Sequence, residues 1–328
     1  MTKVPRSHAA VPPGCDPDSV VLAFRVPNEL DGQRLDRFVH WRIPRLTRER
    51  ANEIVVHCAY RDDGSRRVPS ERVRAGEIVL LVRERFVEPE TPQEFGVLYQ
   101  DDAITVVDKP AGLPVHPSAT YHKNTLTSML RARWGVGGPH ICHRLDRETS
   151  GVVVCAIPGP DEVAVKRQFE TRVVDKEYLA IVRGRVDADE MRIDRPLRRA
   201  SEGLHLRMEP HDEGLPALTE LRVVERRGDR TLVHLKPHTG RQHQLRVHLA
   251  AIGHPIVGDK LYGPGTSSEF VEWVETGMTD SLRDRLGHER HALHAYRCTI
   301  EHPRTGARMT FTAPLASDLE ALWSSVEP

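Results

Sequence analysis

The stretch "HRLDRETSG", residues 143–151, places Asp146 between two arginines and directly before the apolar run "VVVCA". This run has the composition of a buried strand, so Asp146 lies on the loop that enters the strand. A carboxylate there is partly desolvated and stays ionised only where a cation or hydrogen-bond donors compensate. A lone aspartate beside arginine is most often a surface ion pair of little energetic value, so the rest of the chain must decide its role.

A second basic stretch, "TGRQHQLRVH" at residues 239–248, can supply the compensating cation. A helical pattern follows Gly240, and Thr239 is the candidate for its N-cap. Arg241 and Arg246 are five positions apart and so predicted to lie on different faces of this helix, one towards a pocket and the other towards a phosphate. His243, His248 and His254 lack the HExxH spacing and have no carboxylate between them, which favours RNA contacts or core hydrogen bonds over metal binding.

The chain of 328 residues, 39% of them apolar, has room for two domains. Beyond residue 95, strands outnumber helices, and helices such as residues 161–172 do not alternate with them regularly. This order predicts an α+β fold with a mixed, largely antiparallel central sheet flanked by helices.

The N-terminal part has a different pattern. Residues 1–19 are rich in proline and small polar residues and predict a flexible tail. Residues 20–88 predict a small α/β domain with two helices joined at "IPRLT", Thr47 as the N-cap of the second, and a late strand at 78–82. Its arginines cluster on the helices, although an arginine-rich helix pair can equally be a solvated face. The linker "EPETPQEF" then leads into a second domain, residues 89–328.

Composition excludes several classes of protein. No apolar run reaches the roughly 18 residues of a membrane span, and the start lacks the apolar centre of a secretory signal, so the cytoplasm is the default. The five cysteines are scattered without a CxxC pair and predict reduced thiols. Lys+Arg and Asp+Glu number 47 each, so a nucleic-acid site must be a local patch.

Five ordered motifs carry a specific resemblance. "DKPAGLPVHP", "HRLDRETSG", "KEYLAIVRG", "KPHTGRQHQLRVHLAAIGHPIVGDKLYG" and "LHAYRCTIEHP" together resemble the RluA-type RNA pseudouridine synthase family over nearly all of residues 95–315. Residues 20–88 resemble an S-four-like RNA-binding module through "RLDRFV", the arginine-bearing second helix and the late strand. The module's usual glycine-valine-asparagine-glycine strand-turn appears here as "CAYRDDG".

The resemblance implies roles for individual residues. Asp146 matches the nucleophilic or electrostatic aspartate, and Arg246 matches the arginine that pairs with it. Tyr178 matches the aromatic residue that stacks on the target base and is a candidate general base. Arg144 matches the arginine that fills the gap left by the extruded base. Further residues are expected to line the RNA groove, or alternatively to brace loops: His143, Lys109, His116, Arg241, His243 and Gln244. Asp259, Lys260 and Tyr262 are interpreted as mainly fold-forming.

The implied function is isomerisation of specific uridines to pseudouridine in structured RNA, without cofactor or metal. Large-subunit ribosomal RNA is favoured as the substrate and transfer RNA stays open; a monomer is the default. Two alternatives are a catalytically silent RNA-binding protein of the same fold and a glycoside hydrolase, for which no second acid other than Glu148 lies near Asp146. Residues 265–290 are expected to be a surface insertion able to tune substrate choice.

Overall fold

The computed structural model divides the chain into two units, Met1–Glu88 and Pro89–Pro328. It describes residues 10–17, 19–43, 46–84, 87–118, 120–201, 204, 206–265 and 267–327. Residues 1–9 and 18 of the expected tail lie outside the described residues, as do residues 44–45 of the "IPRLT" connection. Each unit has its own buried apolar core.

The N-terminal unit packs two helices on a three-stranded antiparallel sheet. Its strands are β1 (Val20–Arg25), β2 (Ala59–Tyr60) and β3 (Ile78–Arg83), in the order β1-β3-β2. The helices are α1 (Leu35–Arg42) and α2 (Arg48–Cys58), and a 3₁₀ turn covers Asn28–Leu30. The hydroxyl of Thr47 accepts a 3.2 Å hydrogen bond from the Arg50 N–H, which confirms the predicted N-cap.

The C-terminal unit is built on a large sheet. Its strands, in chain order, are β4 (Gly96–Gln100), β5 (Ile104–Lys109), β6 (His140–Ile141), β7 (Ser150–Ala156), β8 (Asp175–Arg183), β9 (Glu190–Asp194), β10 (Leu197–Arg199), β11 (Met208–Pro210), β12 (Leu218–Arg227), β13 (Arg230–Pro237), β14 (Leu293–Glu301) and β15 (Arg308–Thr312). The main path is β4-β5-β7-β14-β8-β13-β12-β9, with β15 on β14 and β6 on β7. Strands β10 and β11 form a separate pair.

In the described part of this unit, six helices accompany the sheet: α3 (Leu126–Trp134), α4 (Pro160–Thr171), α5 (Gln244–Ala251), α6 (Ser268–Thr276), α7 (Asp280–Leu286) and α8 (Ser317–Ser324). Neighbouring strands are antiparallel except for β7 and β14, which pair in parallel. The predicted α+β fold with a largely antiparallel sheet is therefore confirmed. Among the described residues, no helix has the length and apolarity needed to cross a membrane.

The first residues of β7 determine where the loop that carries Asp146 enters the sheet. Gly151 pairs with Ala295 of β14 and has a φ of 110°, a conformation that residues with a Cβ rarely adopt. A Cβ added to Gly151 would lie 2.2 Å from the Ala295 carbonyl oxygen. The glycine that ends "HRLDRETSG" is thus required by the close approach of these two central strands.

The segment before α5 departs from the sequence prediction. Thr239 does not cap the helix; its hydroxyl donates to Gln244 Oε1 at 2.7 Å and accepts from the Leu218 N–H at 3.0 Å. The helix begins at Gln244, after His243 in the left-handed conformation with a φ of 54°. Arg241 therefore precedes the helix, and the expectation that Arg241 and Arg246 occupy two faces of one helix is wrong.

Candidate active site

An open cleft in the C-terminal unit lies where the loop before β7, the strand β8 and the segment before α5 meet. It is lined by Arg144, Leu145, Asp146, Thr149, Lys176, Tyr178, Pro237, Thr239, Gly240, Arg241, His243, Gln244, Leu245, Arg246 and Leu293. The cleft thus brings together the residues that the sequence singled out as catalytic, although they are far apart along the chain.

Arg246 joins two carboxylates at the floor of the cleft. Its Nη1 donates to Asp146 Oδ2 at 3.2 Å, while its Nε and Nη2 donate to the two oxygens of Asp259 at 2.7 and 2.8 Å. The Asp259 side chain is fully buried and also accepts from the N–H groups of Leu261 and Tyr262. The Arg246 guanidinium also lies over the Tyr262 ring, 5.1 Å from its centroid. A planar guanidinium fixed in this way presents its remaining edge to Asp146 in one orientation.

Asp146 is held in its ionised form. Burial opposes its charge, but the Arg246 guanidinium, the largest of the opposing causes, keeps the pKa of Asp146 below its ordinary value. Burial and the Arg246 charge in turn lower the pKa of His243 to about 4, so this imidazole is neutral near pH 7. His243 Nε2 lies 3.9 Å from Asp146 Oδ1, and its Nδ1 shares a 2.9 Å hydrogen bond with Tyr262 Oη. The formal countercharge of Asp146 is therefore the Arg246 guanidinium.

Tyr178 lies on β8 opposite Leu235 of β13 and packs against two apolar clusters of the sheet. Burial, together with Cys298 and Asp146, raises the pKa of its phenol, which therefore stays protonated at neutral pH. Among the described residues its hydroxyl forms no hydrogen bond. The side chain thus offers the cleft a flat ring and a neutral phenol with an available donor.

The residues that follow Asp146 anchor its loop. Lys260 Nζ donates to both oxygens of Glu148, at 2.9 and 3.1 Å, and His291 Nδ1 lies 3.4 Å from the same carboxylate. Burial works against the charge of Glu148, but His291 and Lys260 hold the pKa of that carboxyl well below its usual range. The hydroxyls of the next two residues bond to buried histidines, Thr149 to His291 at 2.8 Å and Ser150 to His294 at 2.9 Å. Residues 148–150 thus form a buried network of hydrogen bonds that holds the Asp146 loop, and they are not part of a solvated loop.

Three of the expected RNA-contacting residues do not line the cleft. Lys109 is fully buried, and its ammonium donates to the carbonyls of Pro110, Leu113 and Arg147 at 2.9 to 3.0 Å. All three of its protons are therefore taken, and Lys109 braces the Asp146 loop instead of contacting RNA.

The two histidines of this group also serve loops. His143 Nε2 accepts from the Val154 N–H at 3.0 Å, its ring stacks on Phe169, and burial lowers its pKa to about 3. This position does not fit the expected RNA contact. His116 is exposed, and its Nδ1 lies 3.0 Å from the hydroxyl of Thr127.

Gln244 lines the cleft but has no free amide group. Its Oε1 accepts from Thr239 and from the Arg241 N–H, and its Nε2 donates to the Leu218 carbonyl and the Thr219 hydroxyl. Gln244 therefore shapes the segment before α5, as the alternative interpretation of bracing expects. The Nε of Arg241 donates a 3.0 Å hydrogen bond to the Pro216 carbonyl. The two terminal nitrogens of the same guanidinium remain available at the cleft.

The histidines of the second basic stretch point to separate partners. His248 bonds to the Thr219 hydroxyl and the Arg195 carbonyl, whereas His254 bonds to the Arg183 carbonyl. Over the parts of the chain that the structure describes, no three His, Cys, Asp or Glu side chains are grouped as metal ligands. His248 and His254 thus make core hydrogen bonds, one of the two roles expected for them.

Two residues of the site escaped the sequence interpretation. Asp259 was assigned to the fold, but it is the principal partner of Arg246. Lys176 precedes Tyr178 by two residues on β8, and strand alternation alone places both side chains on one face. That alternation was a usable signal for Lys176, whereas nothing local in "GDKLYG" specifies the partner of Asp259.

Comparisons with known proteins agree with this geometry. Residues 103–251 match the family model described as RNA pseudouridylate synthase. A relative from Xanthomonas campestris pv. campestris named ribosomal large subunit pseudouridine synthase D is 35% identical over 94% of this chain and 93% of its own length. An Aquifex aeolicus relative named uncharacterized RNA pseudouridine synthase is 36% identical over 94% of this chain and 98% of its own. The solved structure of human RNA pseudouridylate synthase domain containing 1 superposes with a TM-score of 0.56 and 29% identity, covering 74% of this chain and 100% of that one.

Proposed function

The chain belongs to the RNA pseudouridine synthase family and is thus an isomerase, and we propose that it converts uridine to pseudouridine in large-subunit ribosomal RNA through Asp146. The observation that carries the assignment of Asp146 is its 3.2 Å contact with Arg246 in an open cleft that also contains Tyr178. The ribosomal substrate is supported by the names of relatives that are similar to nearly the whole chain.

Asp146 acts on the ribose of the target nucleotide. The reaction breaks the glycosidic bond, holds the uracil while it turns, and rejoins it through carbon. An ionised carboxylate either attacks the electron-poor anomeric carbon or assists removal of the neighbouring ribose proton. Both routes need the charge that Arg246 maintains on Asp146, so the proposal is common to the two.

Arg246 and Asp259 are positioning residues in this scheme. Nε and Nη2 of Arg246 both donate to the buried Asp259, which fixes the orientation of the guanidinium. Its Nη1 therefore keeps its position beside Asp146. A charge that is oriented before the substrate arrives needs no reorganisation during the reaction.

Tyr178 and Arg144 handle the base. The uridine must leave its stack to reach Asp146, and the Tyr178 ring gives the extruded uracil a surface for stacking. Because its phenol stays protonated, we assign Tyr178 to stacking and hydrogen-bond donation rather than to proton abstraction. Arg144 is exposed at the rim of the cleft, two residues from Asp146, where its guanidinium can fill the gap in the RNA.

The N-terminal unit is assigned an RNA-binding role. Arg37, Arg48 and Arg50 are exposed on or beside its two helices, as an S-four-like module requires for phosphate contacts. These contacts carry no catalytic group and would act on affinity.

The substitution Asp146→Asn tests the catalytic assignment. It keeps the size of the side chain but removes its charge, so we expect tritium release from uracil-labelled ribosomal RNA to fall to background while RNA affinity stays within about twofold. The matched control is Asp229→Asn, because the Asp229 side chain is 86% exposed. Retained turnover in the Asp146 variant would reject the assignment.

A second experiment tests the substrate. Pseudouridines are mapped in total RNA from a strain that lacks the gene and from its parent. Loss of a site in large-subunit ribosomal RNA supports the proposal, whereas loss confined to transfer RNA replaces it with the transfer-RNA alternative. Release of free uracil by the purified protein would instead indicate the hydrolase.

A further inference from the structure

Lys176 is a cation of the cleft for which the described part of the chain supplies no partner. It lies on β8, two residues before Tyr178, and both side chains line the cleft. Its side chain is half-buried, yet within the described residues its ammonium makes no hydrogen bond and no ion pair. Charged groups that are removed from water are normally paired. The Lys176 ammonium is therefore suited to bind an anion from outside the protein.

The carboxylates next to Lys176 on the strand are committed elsewhere. Asp175 pairs with Lys236 at 3.1 Å and with Arg308. Glu177 pairs with His234 at 2.8 Å and Arg297 at 3.4 Å. Because side chains alternate along a strand, these two carboxylates lie on the opposite face of the sheet from Lys176. Burial, the largest cause, lowers the pKa of Lys176, as expected of an ammonium with no carboxylate partner among the described residues.

The surroundings of Lys176 favour an anion. A Cβ built on Gly240 would lie 3.5 Å from Lys176 Nζ, so the ammonium rests against a glycine that places no side chain over it. The cleft lining contains four cations, Arg144, Lys176, Arg241 and Arg246, against the single carboxylate of Asp146. That carboxylate is already held by Arg246. A local excess of positive charge therefore exists in a chain whose net charge is zero.

We propose that Lys176 binds a backbone phosphate next to the extruded uridine and thereby sets the nucleotide over Tyr178. The inference rests on the proposed function, since RNA is the ligand. RNA carries one negative charge per nucleotide, and a lysine ammonium binds phosphate as a point charge from a flexible stem. A phosphate also matches the missing charge, which a neutral uracil carbonyl would not.

The substitution Lys176→Gln tests this phosphate site. In single-turnover tritium release from a large-subunit ribosomal RNA transcript, the protein concentration giving half-maximal rate should rise about 3- to 10-fold, with the maximal rate within about twofold. The salt dependence should weaken, with a log–log slope smaller by about 0.7, the loss of one phosphate contact to single-stranded RNA. Lys176→Arg should restore both quantities, because it keeps the charge. The matched control is Lys236→Gln, which removes a lysine already paired with Asp175 outside the cleft.

Unchanged half-maximal concentration and salt slope in Lys176→Gln would overturn the proposal. A fall in the maximal rate alone would also overturn it, because Lys176 would then act on the chemistry. If Lys176→Gln unfolds at a lower temperature than the wild type, Lys176→Met is measured in its place, because it also removes the charge and keeps the apolar part of the side chain. Failure of the proposed function looks different: the wild-type protein and Lys236→Gln would then release no tritium either.

Discussion

Arg246 links Asp146, the proposed catalytic aspartate, to the interior of the fold. It reaches Asp146 across 100 positions of sequence, and its side chain is 10% exposed. A buried ion pair alone is weak support for stability, because desolvation offsets the attraction. Here the arginine has two carboxylates: Asp259 is buried and fixes the plane of the guanidinium, whereas Asp146 faces the cleft. The geometry therefore distinguishes a buried partner of Arg246 from the partner to which we assign the chemistry.

The substitution Asp259→Asn should test that separation. It leaves the buried guanidinium with one carboxylate fewer, so we expect the free energy of unfolding to fall by about 3 to 5 kcal/mol. Because Arg246 loses its fixed plane, the maximal single-turnover rate should fall by about 100-fold at temperatures where the variant is folded. Urea unfolding and tritium release measure the two effects.

Asp229→Asn again provides the control for Asp259→Asn, with no expected change in either measurement. A folded Asp259 variant with the wild-type rate would show that Asp146 needs only the proximity of Arg246 and not its orientation.

Single residues differ in how far the sequence reveals them. The positions of Asp146, Tyr178 and Arg246 in the cleft follow the motif resemblance, since each lies in a stretch with a distinctive pattern. Lys109 and His143 lie in equally distinctive stretches, but the Lys109 ammonium donates to three backbone carbonyls and His143 Nε2 accepts from the Val154 N–H. Burial and the count of free donors depend on contacts that are distant in sequence, and a motif does not encode them.

At the scale of elements, residues 265–290 supply part of the support for the Asp146 loop. The segment forms α6 and α7, and Trp273 of α6 covers two cations. The ring lies 5.1 Å from the Arg147 guanidinium carbon and 5.4 Å from Lys260 Nζ, measured to its centroid. Arg147 follows Asp146 directly, and Lys260 holds Glu148. Residues of this segment therefore pack on the side chains that anchor the Asp146 loop.

The substitution Trp273→Leu should loosen this anchor. It removes the aromatic face over both cations, so we expect the maximal single-turnover rate to fall by about 3- to 10-fold, in line with one or two cation–π contacts of about 0.5 to 1 kcal/mol each. Trp273→Phe should retain most of the rate, because a ring remains. The measurement is tritium release at saturating protein.

Val274→Ala is the control on the same helix, since Val274 is 63% exposed and lies beside Trp273 in sequence. A leucine variant with the wild-type rate and a raised half-maximal concentration would instead place Trp273 in RNA contact.

Helix caps show why some elements are predictable and others are not. Thr47 caps α2 as the local rule expects, and its hydroxyl has no other hydrogen-bond partner among the described residues. Thr239 obeys the same rule in sequence, but its hydroxyl bonds to Gln244 and to the Leu218 N–H of a neighbouring strand. Likewise β10 and β11 have three residues each, too few for an alternating pattern to be recognised. Tertiary contacts decide both cases.

For the whole molecule, the chain divides into two units, and the cleft belongs to the second of them. Every residue that lines the cleft belongs to Pro89–Pro328. The core of Met1–Glu88 is made of its own residues, among them Phe38 and Val55. A unit that buries its own apolar side chains can fold without the other.

Truncation to residues 89–328 should therefore preserve chemistry and weaken binding. The maximal single-turnover rate is expected to stay within about threefold of the full chain, because remote contacts that are equal in ground and transition states do not alter it. The half-maximal protein concentration should rise by 10-fold or more, roughly 1.4 kcal/mol of lost binding free energy, as the arginines of α1 and α2 are removed. Replacing exposed Arg48 and Arg50 by glutamine in the full chain should move the half-maximal concentration in the same direction with a smaller amplitude. A truncated protein that folds, binds with full affinity and has lost the rate would assign the N-terminal unit to catalysis rather than to RNA binding.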